Sequence, residues 1–503
     1  MNKQIRIGSI IGYINMVISA VIAIVYIPLL TKGIGSSEYG VYQLIGSLVA
    51  YFTTTYTSLN ASVLKNYAET LHKNEYEQEN VLAISRKIFR IISLLIIAIS
   101  IPVILFFFHS YSNALTEHEL NECLIIYVIL ICNILIYLNN NIYSAAIQAH
   151  QKFIFRKCLD LISQCLQPIA VIAFIKEFPY ALTIVLIQMS MNVFVSILNY
   201  FYAKYKLKVR IKYHYYDKFL VKQIIFLSIS VLGVALADQI FWKVDQLVLG
   251  KLYGTRTVSS YSIATQINAM YINIGTVLGG MILPIIVSII HSGDFHLLEH
   301  RFKQLGRYQS YILSFVLFGI ILYSDELMKI LYKDYENDMY IVLILLAIPY
   351  SIDLIQNAGN AILQAKNLYG LRAKIMLTAA VLNIALTIFL SKQYGMIGAA
   401  TATAITIIIT SGFLMNLIYI KYIHIDIVAF AKSVLKIWIK LCPSLIIGII
   451  AKKITIINSP ILTFIIHGLI FSIVHIGLLL TIGMQNDDKS VFIKKLKGKI
   501  ISA

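Results

Sequence analysis

The chain has 503 residues, 59% hydrophobic and 13% charged, with a net charge of +18 and a mean hydropathy of +0.79. An ordinary soluble globule carries about 25% charged residues, so these proportions exclude that class and its rule of one domain per about 150 residues. The positive charge points to membrane topology rather than to nucleic acid, because Lys and Arg sit in short segments between long apolar runs.

A helix rises about 1.5 Å per residue, so roughly 20 apolar residues cross a hydrocarbon core of about 30 Å. The first run, 7–30, follows Lys3 and Arg6 and has no charge of its own. It is too long for the apolar region of a signal peptide, and a permanent helix is expected. Further runs follow at 38–60, 88–110, 121–146, 158–176, 179–203, 221–250, 257–290, 307–324, 339–363, 373–391, 395–420, 432–451 and 460–484. The expected fold class is all-α, a polytopic membrane protein of 14 transmembrane helices.

Loop charges set the expected orientation. With the N-terminus inside, the inner segments hold 31 Lys and Arg, among them Lys204, Lys206, Lys208, Arg210, Lys212, Lys218 and Lys222 between the sixth and seventh runs. The tail adds Lys489, Lys494, Lys495, Lys497 and Lys499 to that side, whereas the outer loops hold nine basic residues, Lys333 among them. The positive-inside rule then places both termini in the cytoplasm. Lys243 and Lys440 are the basic residues inside runs.

The loops leave no room for a nucleotide-binding domain, and no G-x-x-x-x-G-K-[ST] phosphate loop is present. The longest outer loop, 324–338, is too short for an external catalytic domain, which argues against an enzyme. Cys123, Cys132, Cys158, Cys165 and Cys442 lack paired ligand spacing and read as packing residues. His150 has no metal-ligand partner at useful spacing. No cofactor and no metal are expected.

The chain repeats itself. At an offset of 219, Leu30, Lys32, Gly35 and Tyr42 fall on Leu249, Lys251, Gly254 and Tyr261. At an offset of 216, Asn141, Gln148, Ala149 and Arg156 fall on Asn357, Gln364, Ala365 and Arg372. Six helices recur as six in the same orientation, giving expected units at 1–212 and 213–425, with two further helices and a basic tail at 426–503. Two such bundles around a central cavity are a transporter design in which each half rocks against the other.

The segment from Pro28 to Tyr42, PLLTKGIGSSEYGVY, resembles the signature of polysaccharide-unit flippases of the multidrug/oligosaccharidyl-lipid/polysaccharide exporter superfamily. LNASVLKNY from Leu59, IQAHQKF from Ile147, DQLVLGKLYG from Asp245, Tyr261 and Pro284 also fit. The resemblance implies a fold like that of the multidrug exporters of this superfamily. It implies the activity of the O-antigen (Wzx-type) flippases: moving an undecaprenyl-pyrophosphate-linked oligosaccharide from the cytoplasmic to the outer leaflet of a bacterial inner membrane. Membrane lipids, a polysaccharide polymerase and a chain-length regulator are the implied partners.

Charges inside spans cost about 2.5–3.5 kcal/mol each on insertion scales, so each asks for a reason. The seventh run carries Asp238, Lys243 and Asp245, and the tenth carries Asp353. The cluster either lines the cavity, meeting pyrophosphate or a coupling cation, or neutralises itself. Gln43, Ser47, Tyr51, Thr54 and Ser58 form a polar stripe on the second run, with Ser262, Gln266 and Asn273 on the eighth. Such stripes suit sugar hydroxyls, and interhelical packing would produce the same pattern. Asn141 and Asn357 are paired by the repeat, and they join the cavity set. Lys65, Arg156 and Arg372 at inner helix ends are candidates for guiding an anionic headgroup, a placement that inside-positive topology explains equally.

Two alternatives within the superfamily stay open. A cation-coupled multidrug exporter generally carries an acidic residue in its first helix, and 7–30 has none. A peptidoglycan lipid-precursor flippase typically has arginines in its cavity, whereas all nine arginines here fall in loops or at helix ends.

Overall fold

A computed structural model of the protein describes residues 3–280, 286, 289–290, 292–332, 336–366, 368–454 and 459–490. Pro284, Lys333 and the tail lysines Lys494, Lys495, Lys497 and Lys499 lie outside the described residues.

Among the described residues the chain is helical, with no strand and fourteen long helices. They are α1 (3–34), α2 (36–70), α3 (Glu75–Tyr111), α4 (Glu117–Ala149), α5 (Phe153–Ile175), α6 (Ala181–Lys206) and α7 (Lys218–Tyr253). The rest are α8 (Thr255–Gly280), α9 (Phe295–Leu331), α10 (Met339–Ile355 with Asn357–Ala365, bent by 42°), α11 (369–393), α12 (396–423), α13 (Ile427–Lys452) and α14 (Pro460–Gly483). Among the described residues, nine helices, with α11 and α12 counted as one, or ten if the bent α10 is one span, are long and apolar enough to cross a membrane.

Helix starts follow their capping residues. Asn74, Asp217, Asp294 and Asp426 each accept a backbone N–H of the first turn, and Thr116 and Glu119 cap α4 reciprocally. Three boundaries need no loop. The chain breaks at Gly35 (φ 85°, ψ 168°), Gly254 (φ 79°, ψ −171°) and Gly395 (φ 56°, ψ −136°), conformations that favour glycine. Gly35 and Gly254, equated by the sequence repeat, share one backbone conformation.

The distribution of polarity is that of a protein whose solvent is lipid. Ile91, Leu94, Leu105 and Phe106 on α3 are exposed, whereas Ser85, Ser93 and Ser100 on the same helix are buried. Backbone donors are satisfied within each helix, the condition for crossing hydrocarbon. The protein is a multi-pass membrane protein.

Two compact units divide the chain: Met1–Ile263 with Ser391–Gly395, and Ala264–Leu390 with Met396–Ala503. In the first, α1 and α2 pack against α4, α5 and α7. In the second, α9 packs against α10 and against α13 and α14 around Phe318, Leu322, Leu441 and Phe471. His475 of α14 sits beside the hydroxyls of Ser444 (2.9 Å) and Ser314 (3.4 Å). Lys440 donates to the carbonyl of Ile482 at 2.8 Å, which satisfies a basic residue placed within an apolar run.

Candidate functional site

In the first unit the polar centre is built on the C-terminal half of α7 and the helices beside it. Asp245 is 3% exposed and accepts a 2.5 Å hydrogen bond from the Tyr261 phenol. Its neighbour Gln246, equally buried, accepts from the Ser47 hydroxyl of α2. The Tyr111 phenol donates to the carbonyl of Leu247 at 2.7 Å, and Tyr51 lies within Coulombic reach of Asp245. Gly250 lets Leu44 of α2 approach α7 closely: an added Cβ would overlap that side chain. Asp238 and Lys243 are both half-buried. Among the described residues no carboxylate lies within ion-pair distance of Lys243.

The polar stripe of α2 is partly turned inward. Ser47, Thr54 and Ser58 are buried and donate to backbone carbonyls three or four residues back. Gln43 donates to the Tyr39 phenol at 2.8 Å. Asn141 is buried and donates to the carbonyl of Tyr56 at 3.0 Å, tying α4 to α2. Arg156 reaches Ser144 (2.7 Å), the Tyr137 phenol (3.4 Å) and Asp160 (3.3 Å). Tyr56 and Tyr137 meet edge to face at 4.6 Å. Lys65 is exposed.

In the second unit, Asp353 is half-buried one turn before the bend in α10. Asp353 and Arg372 both lie within Coulombic reach of the Tyr419 phenol. Tyr419 comes so close to α10 because residue 359 is glycine, where a Cβ would overlap its ring. Asn357 begins the second half of α10 and accepts from Asn360 at 3.2 Å. Gln266 is half-buried and Asn273 exposed on α8, while Tyr271 bonds Ser351 of α10 at 2.7 Å. By the repeat, Asp353 corresponds to Tyr137 and Arg372 to Arg156. Arg156 meets the Tyr137 phenol in the first unit, and its mate Arg372 lies near the Tyr419 phenol in the second.

Several polar residues of these clusters were not singled out by the sequence. Gln246 and Tyr419 read as ordinary span residues, and Glu38 sits within the resemblance segment without distinction. Glu38 accepts the backbone N–H of Ala181 at 2.7 Å, and its carboxyl lies close to that of Glu122. Glu119 accepts from Ser37 (2.6 Å) and Thr255 (2.7 Å). The glycine breaks at Gly35 and Gly254 are the sequence signal for this convergence, because each break delivers a hydroxyl to Glu119.

Among the described residues, long apolar helices, glycine breaks of one conformation at Gly35 and Gly254 and polar residues within the spans define a polytopic helical membrane fold. The fold is that of a lipid II flippase, MurJ, in an inward closed conformation, at a TM-score of 0.74 and 16% identity over 97% of this chain and 99% of that one. It is also that of an inward-facing multidrug resistance transporter, at a TM-score of 0.67 and 12% identity over 81% and 99%.

The chain belongs to the polysaccharide biosynthesis protein family, whose model matches residues 8–290. A putative O-antigen transporter of Shigella flexneri is 22% identical over 80% of this chain and 94% of that protein. A probable low-salt glycan biosynthesis flippase of Haloferax volcanii is 24% identical over 35% of this chain, which spans 39% of that relative's length.

Proposed function

We propose that this protein is a flippase that carries an undecaprenyl-pyrophosphate-linked oligosaccharide from the cytoplasmic to the outer leaflet by alternating access. The match along nearly the whole length of an O-antigen transporter carries the reading. Lys243 gives it chemistry: a half-buried ammonium on α7 with no described carboxylate to neutralise it is kept at that depth for an anion. Phosphate oxygens are such an anion, and the amide groups of Gln43, Gln266 and Asn273 suit sugars. The inner membrane of a bacterium and cytoplasmic termini belong to the same proposal. It assigns the protein no enzymatic activity.

The test is the accessibility of labelled lipid-linked glycan at the outer surface of spheroplasts. Loss of outward appearance on deletion, restored by the gene, is expected; equal appearance with and without the protein sinks the proposal. The likeness of fold to a lipid II flippase makes a peptidoglycan-precursor role the second reading. Restoration of cell-wall synthesis in a strain lacking its lipid II flippase would favour that one. Reporter fusions ending at Ser36 and at Lys212 check the orientation and are expected in opposite compartments.

A further inference from the structure

Where α6 ends, the first unit forms a pocket of about 420 Å³ with a strongly basic, aromatic lining. Four cations, Arg86, Lys204, Lys208 and Arg210, converge on it, and among the described residues no acidic side chain lines it. Tyr143, Tyr200 and Tyr205 supply phenols and ring faces.

The local backbone builds this convergence. The last turn of α6, Tyr202–Lys206, is a π-turn, closed by Leu207 N–H on Tyr202 (3.2 Å) and Val209 N–H on Ala203 (2.9 Å). Those bonds hold Lys208 at φ 56°, a left-handed conformation that side chains other than glycine and asparagine seldom adopt. Lys204 donates to the Tyr200 phenol at 2.8 Å and lies over the rings of Tyr200 (5.2 Å) and Tyr205 (5.6 Å). Tyr143 braces Tyr200 edge to face at 5.2 Å. Topology alone asks only that cations lie on one side of the membrane. Lys206, Lys212, Lys218 and Lys222 meet that requirement in the same segment without lining the pocket.

We propose that this pocket binds the phosphate of an anionic lipid headgroup in the cytoplasmic leaflet. Four like charges gathered without a carboxylate repel one another, and an anion relieves that repulsion. Arg and Lys match phosphate oxygens, and tyrosines suit the depth at which headgroups meet the acyl region. The volume is within the range of small-ligand sites. The proposal rests on the orientation proposed above but not on the cargo, because any phospholipid of that leaflet presents the same chemistry.

The experiment measures binding of dioctanoyl-phosphatidylglycerol to the purified full-length protein by microscale thermophoresis. The pocket variant is Arg86→Gln, Lys204→Gln and Arg210→Gln; the control removes equal charge elsewhere through Lys206→Gln, Lys212→Gln and Lys218→Gln. The pocket variant is expected to bind about tenfold more weakly or worse, and the control within about twofold of wild type. Competition by sodium pyrophosphate identifies the phosphate group alone as sufficient; its failure to compete assigns the pocket to the intact lipid. Should the triple variant not fold, Lys208→Gln and Arg210→Gln singly are each expected to weaken binding severalfold. Equal losses in pocket and control variants, or equal binding of dioctanoyl-phosphatidylcholine, would overturn the proposal.

Discussion

The Tyr261 phenol donates a 2.5 Å hydrogen bond to the buried carboxylate of Asp245, joining α8 to α7 across the break at Gly254. The two residues are 16 apart in sequence, and the glycine break makes their meeting possible. A hydrogen bond to a buried charge contributes about 1.5–3 kcal/mol, more than an ordinary one. Tyr261→Phe is therefore expected to lower the thermal stability of the purified protein by about that amount. Asp245→Asn keeps an acceptor for the phenol and removes a buried charge, so it should cost less. Melting curves that rank the two variants in the opposite order would show that the pair does not stabilise the α7–α8 break.

Lys243 behaves differently from Asp245. Its ammonium is half-buried without a described carboxylate in reach, so Lys243→Gln removes a cost rather than a partner. Abundance and melting temperature are expected to be unchanged or higher, and glycan export at least about tenfold lower. Unimpaired export by that variant would take phosphate binding away from this residue.

The glycine breaks give a third expectation. A Cβ at Gly35 would meet nothing within 4 Å, so Gly35→Ala acts through the backbone alone. Its conformation is nearly closed to residues with a side chain, and the expected loss is about 1–3 kcal/mol. Gly254→Ala shares that conformation and should cost a similar amount. Thermal melts check both, and two neutral results would contradict the shared backbone geometry of the repeat.

The fold was legible in the sequence because lipid imposes one simple pattern, apolar stretches of fixed length, and over the described residues the runs fall on the helices to within about two residues. The repeat was legible because Gly35 and Gly254 are fixed by a backbone conformation that other residues adopt poorly. The clusters were less legible, since their contacts cross helices. Asp238 and Asp245 are seven apart and look equivalent on a helical wheel, yet Asp245 is buried against Tyr261 while Asp238 is half-buried. Arg156 reads as a basic residue at a helix end; its ion pair with Asp160 lies within α5, but its bonds to Ser144 and Tyr137 need the packed α4–α5 pair. Lys204, Lys208 and Arg210 read only as loop charge, because a π-turn and a left-handed lysine leave no periodic signal.

Beyond the last span, Asp488 ties the end of the chain to α9 through Arg307 (2.8 Å) and Tyr311 (2.9 Å). Burial alone would raise its carboxyl, but the hydrogen bonds and the guanidinium charge outweigh burial and hold it below the ordinary carboxylate range. A depressed folded pKa means stability that is complete above the unfolded value, about 3.9, and lost as pH falls through the folded one. Asp488→Asn is expected to lower the melting temperature at pH 7, by a margin that shrinks when both proteins are melted below about pH 4. A pH-independent margin would assign the effect to packing instead of charge.

The residue whose substitution says most about transport is Asp353. It sits half-buried one turn before the 42° bend of α10, and Tyr419 lies within reach of both its carboxylate and the Arg372 guanidinium. A carboxylate at that depth needs a partner, a proton or water. If its task is to balance Arg372, Asp353→Asn leaves that arginine less well compensated and should reduce folded protein, while adding Arg372→Gln should restore both abundance and export. If its task lies in transport, Asp353→Asn should leave abundance near wild type and remove most export, and the second substitution should restore nothing. Tyr419→Phe separates the two further, since it removes the hydroxyl within reach of both charges and keeps the ring packed on Gly359. We expect the transport outcome, because the mate of Asp353 in the other repeat is Tyr137, and Arg156 is satisfied there without a carboxylate from α4. Full export by Asp353→Asn alone would remove it from the pathway.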